Sequence, residues 1–176
     1  THRRFFNITG LIGVRVEDPA VFEDAHSLIF DLVDSGVVDG LRVDHVDGLA
    51  DPGEYLVRLR DRLPGTPVWV EKILTGPETL SEDWPVEGTT GYEVARTFTR
   101  ALTDPSGLEA MTRAYRKRTG RQEPFPTVLH TARRQIMTEE LSAELWSLTE
   151  ALSNLAAFDP EGQEFGPETL RQSLID

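Results

Sequence analysis

Two acidic residues and one arginine, placed where predicted strands end, are the side chains of this sequence best suited to covalent chemistry. Arg42 stands two residues before Asp44 at the end of a short β-branched run. Residues i and i+2 of a strand point to the same face, so the Arg42 guanidinium and the Asp44 carboxylate are expected to be neighbours. That guanidinium would keep the carboxylate ionised, as the nucleophile of a glycosidase requires. The alternative is a structural arginine–aspartate pair.

Glu71 is the second acid, and it ends the predicted strand that contains Trp69 and Val70. The apolar surface of these two residues and the like charge of Asp44 both favour the protonated form of Glu71, which is the form of a proton donor. Neighbouring strands lie about 4.8 Å apart, close to the roughly 5–5.5 Å between the carboxyl groups of retaining glycosidases. The alternative is that Glu71 caps a loop or a helix.

A parallel pair of strands would place the carboxyl groups of Asp44 and Glu71 close together. Asp18-Pro19 is typical of a helix N-terminus, and Gly36 is placed to end that helix. The predicted order is helix, strand, helix, strand, over residues 18–36, 37–43, 52–63 and 67–71. The 27 positions from Asp44 to Glu71 suffice for a crossover that returns parallel. Both acids then lie at the carboxyl ends of neighbouring strands, where (β/α) barrels build active sites, although an open doubly wound sheet fits the same pattern.

From about Gly91 onwards the sequence predicts helices only. They cover residues 93–102, 106–119, 128–157 and Pro167–Ile175. We therefore predict an α/β fold in which residues 1–90 are part of a catalytic (β/α)8 barrel, with parallel strands and crossover helices, and residues 91–176 are a helical insertion or subdomain. A partial barrel leaves strand edges open, and open edges invite self-association.

Composition narrows the classes of function. The formal net charge is −12 and the pI is about 4.7, which argues against nucleic acid as a partner, because phosphates demand a basic surface, and against an anionic membrane surface. A neutral sugar is compatible with this charge. The chain contains no cysteine and no visible leader or apolar run of span length, so we expect a cytoplasmic protein.

A cluster of four residues raises the alternative of a metal-dependent hydrolase, since it offers oxygen and nitrogen ligands. Adjacent aspartate and histidine side chains converge poorly, however, and the sequence has no His-x-x-x-His pair and no EF-hand loop. We therefore predict neither a metal nor an organic cofactor. The four residues are Asp44, His45, Asp47 and Asp51.

Five blocks of the sequence, taken in order, resemble the α-amylase superfamily. They are residues 3–6, 14–19, 40–49, 68–74 and 88–92. The similarity is close over about residues 1–100 and looser in the later helices. It is greatest to the members that rearrange the reducing end of maltooligosaccharides.

This resemblance implies Asp44 as the nucleophile, Glu71 as the general acid/base and Arg42 as the partner of the nucleophile and a substrate contact. The implied reaction is an intramolecular transglycosylation by retaining double displacement. The reducing-end α-1,4 linkage of a maltooligosaccharide becomes an α,α-1,1 (trehalose) linkage. Such a site must hold the freed glucose and keep water from the intermediate.

Three further residues are candidate substrate contacts, each with a structural alternative. His45 either contacts a sugar or is a histidine of the loop. Lys72 either lies over a substrate hydroxyl or pairs with an acid. Tyr92 either forms one wall of the subsite for the terminal glucose or packs at the start of a helix. The rim of the active site could also include Arg3, Arg4, Phe5 and Phe6, although phenylalanine is more commonly packed in a core.

The sequence also departs from the superfamily pattern. Asp47 and Gly48 stand where many amylases carry Lys-His, which disfavours a plain amylase. The third catalytic aspartate, in an Asn-His-Asp context, and the early Asp-x-x-x-Asn-His block have no match. We therefore expect an internal fragment, inactive alone, whose partner is the missing remainder of its own barrel. The alternatives are another α-glucan hydrolase or transferase of the superfamily, or a non-catalytic helical interaction module around Leu141 and Trp146.

Overall fold

The computed structural model describes residues 4–5 and 8–176. These residues fall into two compact units, the first extending to Ser106 and the second covering Gly107–Asp176. The side chains of residues 3–6, which the sequence suggested for the active-site rim, lie outside what is described. In the described ranges, no helix combines the length and the apolar character needed to cross a membrane.

The first unit is a mixed α/β structure. Two antiparallel strands, β1 (Arg4–Phe5) and β2 (Ile8–Ile12), form a small separate sheet. A three-stranded parallel sheet has the order β3-β4-β5, with bounds Leu41–Val43, Val68–Val70 and Gly88–Thr89. Helix α1 (Pro19–Asp34) precedes β3, helix α2 (Pro52–Arg62) connects β3 to β4, and helix α3 (Tyr92–Ala101) follows β5.

The predicted parallel pairing of the two strands that lead to the acids is confirmed. Arg42 of β3 lies opposite Trp69 of β4 in the ladder, and Val43 lies opposite Val70. Only three residues of each strand pair, fewer than predicted. The ladder is extended by the Glu71 amide, which donates to the Val43 carbonyl at 2.8 Å.

The starts of α1 and α2 were predicted correctly, and their caps explain why. The Asp18 carboxylate accepts a hydrogen bond from the Ala20 amide at 2.9 Å, with Pro19 in the first turn of α1. Asp51 does the same for α2, accepting from the Glu54 amide at 2.8 Å. These side chains satisfy amides that the first turn of a helix leaves unpaired.

One face of the parallel sheet is packed against helices α1 and α2. Val68 and Val70 are 2% and 0% exposed and join Phe22, Phe30, Leu56 and Leu59 in the main apolar cluster. Because side chains alternate along a strand, the other face carries Arg42 and Trp69. The same alternation puts Asp44 and Glu71 on that second face, at the carboxyl ends of β3 and β4.

The second unit is helical, with α4 (Leu108–Thr119), α5 (Phe125–Thr138), α6 (Ser142–Ala156) and α7 (Pro167–Ile175). The prediction of one long helix over residues 128–157 is wrong, because the chain breaks at residues 139–141. No proline or glycine marks this break, and the apolar helical period runs across it. The break allows α6 to pack against both α5 and α7 and to bury Leu145 and Thr149.

A second departure from prediction is strand β5, which the sequence did not reveal. It has only two residues, too few for an alternating pattern, and pairs in parallel with β4. Glu87 fixes its position. The Glu87 amide donates to the Val68 carbonyl at 2.9 Å, and the Glu87 carboxylate accepts from both the Val68 amide and the Arg60 guanidinium.

Candidate active site

A single guanidinium joins the two predicted acids. Arg42 places Nε 2.8 Å from Asp44 Oδ1 and Nη2 3.4 Å from Glu71 Oε1. The side chain of Asp44 is 64% exposed and that of Glu71 is 29% exposed. The carboxyl groups therefore converge on one cation at the edge of the sheet, with room beside them for a ligand. The neighbouring placement of Arg42 and Asp44 that strand parity predicted is confirmed.

Three donors surround the Glu71 carboxylate. In addition to Arg42, the Tyr92 hydroxyl donates to Oε1 at 3.0 Å and the His45 amide donates to Oε2 at 3.2 Å. These three contacts together fix the orientation of the Glu71 carboxylate.

His45 is held in a left-handed backbone conformation, with φ 52° and ψ 42°, at the entrance to a short 3-10 turn, Val46–Gly48. This turn ends the extended course of β3 and aims the His45 amide at Glu71. The imidazole lies against Gly48, where an added Cβ would come within 2.6 Å of His45 Cε1. The absence of a side chain at Gly48 therefore makes room for the ring.

Lys72 adopts the structural alternative considered for it, as part of an ion-pair network. Its ammonium lies 3.2 Å from Asp47 Oδ1 and 3.1 Å from Glu78 Oε1, and its side chain is only 18% exposed. Partial burial alone would lower the pKa of Lys72, but the hydrogen bonds that it donates to Glu78 and Asp47 outweigh burial and raise that pKa.

Tyr92 is brought to Glu71 by strand β5 and the turn that follows it. Gly91, with φ 91°, precedes the first residue of α3 and turns the chain so that Tyr92 faces the acid. The pKa of Tyr92 is raised, first by its hydrogen bond to Glu71 and then by the negative charge of that carboxylate. An open recess of about 220 Å³ lies beside it, lined by Arg42, Thr90, Gly91, Tyr92 and Ala95.

His26 is a part-buried histidine of α1 whose two ring nitrogens both have hydrogen-bond partners. Its Nδ1 lies 2.7 Å from the Phe22 carbonyl, which can only accept, so Nδ1 carries the proton. Its Nε2 lies 2.8 Å from the Tyr55 hydroxyl and accepts from it. Burial raises the pKa of Tyr55 to about 12.

The residues proposed for the metal alternative are directed to other partners. Asp44 pairs with Arg42, Asp47 pairs with Lys72 and Asp51 caps α2. Within residues 4–5 and 8–176, no group of three or more histidine and acidic side chains is arranged to hold a metal ion.

Many enzymes build their active sites at the carboxyl ends of parallel strands. Solved structures of one such enzyme are similar to this chain. A maltooligosyltrehalose synthase from Arthrobacter ramosus is 42% identical, with a TM-score of 0.78, over 81% of this chain and 19% of that one. A hypothetical maltooligosyl trehalose synthase of Sulfolobus tokodaii is 31% identical, with a TM-score of 0.77, over 99% of this chain and 22% of that one.

A curated relative agrees with these structures. A putative maltooligosyl trehalose synthase of Mycobacterium tuberculosis is 39% identical over 159 residues, which are 90% of this chain and 21% of the relative. No protein-family model matches the chain. The resemblance predicted from the sequence motifs is confirmed, and it is to a segment of maltooligosyl trehalose synthases. The chain spans about a fifth of the length of the relatives it matches.

Proposed function

We propose that this chain is the acid-bearing segment of an enzyme that converts the reducing-end α-1,4 linkage of a maltooligosaccharide into an α,α-1,1 linkage. The observation that carries the proposal is the Arg42 guanidinium between Asp44 and Glu71 at the edge of a parallel sheet. The names and the 39–42% identity of the relatives favour this reaction over other conversions of α-glucans.

In the proposed mechanism Asp44 is the nucleophile and Glu71 is the general acid/base. Asp44 attacks the anomeric carbon of the penultimate sugar while Glu71 gives its proton to the departing O4 of the last glucose, leaving a glycosyl ester on Asp44. The freed glucose then turns. Glu71 takes the proton of its anomeric hydroxyl, and that oxygen displaces Asp44 to form the 1,1 linkage. Two displacements retain the configuration, and no water is consumed.

Arg42 serves both steps because it touches both acids. It stabilises the ionised nucleophile before attack and the carboxylate that Asp44 becomes again when it leaves. Its contact with Glu71 holds the second acid beside the first. For Glu71 to act first as an acid, it must be protonated in the productive complex. The Tyr92 hydroxyl suits both states of Glu71, since a hydroxyl both donates and accepts.

We assign the recess beside Tyr92 to the glucose that leaves and returns. It lies next to both Arg42 and Tyr92, which touch Glu71. A sugar held there stays within reach of the intermediate, and an occupied recess leaves less space for water. His45, at the turn beside Glu71, is the other proposed sugar contact. Lys72 is not assigned to the sugar, because its ammonium pairs with Asp47 and Glu78.

We further propose that the parallel sheet belongs to a (β/α)8 barrel completed by chain outside residues 1–176. One sheet face is packed by α1 and α2 and the other carries the acids, as in a barrel wall. Under this proposal residues 1–176 alone have no turnover, because the third catalytic aspartate is supplied elsewhere. A cytoplasmic location and a helical subdomain over residues 91–176 remain predictions.

The test is product analysis of the full-length protein containing this segment, supplied with maltopentaose. We expect a non-reducing pentasaccharide whose terminal linkage is α,α-1,1 by NMR. Asp44→Asn and Glu71→Gln should abolish it. Matched controls are Asp61→Asn and Glu82→Gln, which change exposed acids that make none of the contacts described for the site and should leave the product unchanged.

Two outcomes contradict the proposal. Non-reducing product at the parental rate in either active-site variant would remove that residue from the mechanism. Shorter reducing sugars and free glucose as the main products, with no 1,1 linkage, would favour an α-glucan hydrolase or transferase instead.

A further inference from the structure

The two loops that begin with the acids separate once the sheet ends. The last backbone hydrogen bond between them in the described part of the chain is the one from the Glu71 amide to the Val43 carbonyl. Beyond this point every contact described between the loop after β3 and the loop after β4 involves a side chain, as in the hydrogen bond from the His45 amide to Glu71. Lys72, the residue after Glu71, makes another such contact, since its ammonium reaches Asp47, three residues after Asp44.

We propose that Lys72 is a positioning residue, whose ion pair with Asp47 clasps the two loops and thereby sets the separation and aim of Asp44 and Glu71. This inference rests on the proposed function, because it assigns Lys72 a role in the same site. It replaces the expectation that Lys72 contacts a substrate hydroxyl.

The clasp is anchored at both ends. Glu78 Oε2 accepts from the Thr75 amide at 3.1 Å, while Glu78 Oε1 lies 3.1 Å from the Lys72 ammonium. Asp47 stands in the middle of the short turn Val46–Gly48, so this turn sets the position of its backbone. An ammonium that pairs with two carboxylates at once loses less conformational entropy per ion pair than an isolated surface pair of long side chains.

Charge also favours the clasp. Among the carboxylates of these two loops, those of Asp44, Asp47, Glu71 and Glu78 form ion pairs with two cations, Arg42 and Lys72. Removal of Lys72 would leave Asp47 and Glu78 facing each other as like charges. Their repulsion would separate the loops and draw Glu71 away from Arg42.

The same contacts disfavour a direct role in substrate binding. An ammonium has three donors, and carboxylate oxygens of Asp47 and Glu78 lie within 3.4 Å of it on two sides. The side chain is 18% exposed, so little of the ammonium is left for a sugar hydroxyl.

The test uses the full-length protein and maltopentaose, with kcat and KM measured separately. Displacement of catalytic groups by about 1 Å costs on the order of 100-fold in rate, so Lys72→Met and Asp47→Asn should each lower kcat by about 10- to 100-fold with KM little changed. Lys72→Arg, which can keep the ion pair with Asp47, should retain most of the parental kcat. Lys117→Met, at the only other lysine of the chain, is the matched control.

A double variant separates a clasp from two independent effects. Lys72→Met/Asp47→Asn should have a kcat no lower than Lys72→Met alone, because both changes break one pair. The proposal is overturned if Asp47→Asn leaves kcat unchanged, if the two losses multiply, or if Lys72→Met raises KM and spares kcat. The last result would restore the substrate contact.

A structural measurement decides the matter independently of turnover. In a crystal structure of the Asp47→Asn protein, whose substituted side chain is half exposed, Glu71 Oε1 should lie beyond ion-pair distance from Arg42, compared with 3.4 Å here. An unchanged distance would overturn the proposal. Failure of the proposed reaction would look different. The full-length protein would then form no 1,1 linkage, although Asp47→Asn would still lengthen the distance between Arg42 and Glu71.

Discussion

Replacing Tyr92 by phenylalanine removes one hydroxyl from the candidate active site and keeps the ring. In the structure that hydroxyl donates to Glu71 Oε1 at 3.0 Å, the same oxygen that Arg42 approaches at 3.4 Å. The variant therefore takes one of three donors from the proposed general acid/base. If Tyr92 orients Glu71, the loss appears in the rate of the chemical step.

The size of the effect follows from the contact and its exposure. A hydrogen bond to a charged group contributes about 1.5–3 kcal/mol. Tyr92 is 41% exposed, so water partly replaces the lost hydroxyl, and the lower end of that range applies. A loss of about 1.5 kcal/mol lowers kcat/KM about 10-fold.

The assay is formation of non-reducing product from maltopentaose by the full-length protein, with substrate well below KM so that the rate reports kcat/KM. Tyr115→Phe is the matched control, since Tyr115 is a half-exposed tyrosine of the second unit and should leave kcat/KM unchanged. Equal rates in Tyr92→Phe and Tyr115→Phe would refute the assignment of Tyr92 to the site.

A titration tests the same contact without catalysis. The pKa of Tyr92 is raised by its hydrogen bond to the Glu71 carboxylate and by the charge of that carboxylate. In residues 1–176 with Tyr55→Phe and Tyr115→Phe, Tyr92 is the only tyrosine left, so tyrosinate absorbance reports it alone. Adding Glu71→Gln should lower its pKa towards the ordinary value. An unchanged titration curve would mean that the two side chains do not interact.

Three further predictions concern stability, each measured by urea unfolding. The pKa of Tyr55 is about 12 in the folded chain and 10.0 in the unfolded chain, so its contribution to the free energy of unfolding is complete below pH 10 and is lost as the pH rises through about 12. Tyr55→Phe should remove this part of the decline in stability at high pH. An equally steep decline in the variant would contradict the prediction. Phe22→Ala deletes a ring that is 0% exposed and should cost about 3–5 kcal/mol, whereas a cost below about 1 kcal/mol would mean that the core is not as described. Asp51→Ala removes the cap on the Glu54 amide and should cost about 1 kcal/mol, with Asp61→Ala, on the exposed side of α2, as a control that costs less.

Features specified by short-range sequence signals were predictable. Asp18-Pro19 and Asp51-Pro52 indicate the starts of α1 and α2, because capping and the fixed φ of proline are local effects. The parallel pairing of β3 and β4 followed from the length of the crossover between them. Strand parity placed Arg42 beside Asp44, because alternation of side chains is a property of any strand.

Features decided by distant partners were not predictable. Strand β5 depends on Glu87, whose amide and carboxylate both bind Val68, and two residues carry no pattern of their own. The break between α5 and α6 accompanies the packing of α6 against both α5 and α7, while the local sequence continues the helical period. The sequence offered Lys72 several acids, and its two partners are selected by the turn that carries Asp47 and the loop that carries Glu78.

The backbone of His45 limits which amino acids position 45 can accept. A φ of 52° is readily adopted by glycine and tolerated by asparagine, aspartate and histidine, whereas β-branched side chains are strongly disfavoured there. A gene library fully randomised at this codon should therefore return those four residues among its folded members and lack valine, isoleucine and threonine. The backbone conformation alone therefore restricts which amino acids can replace His45 during evolution, whether or not the side chain also contacts a sugar.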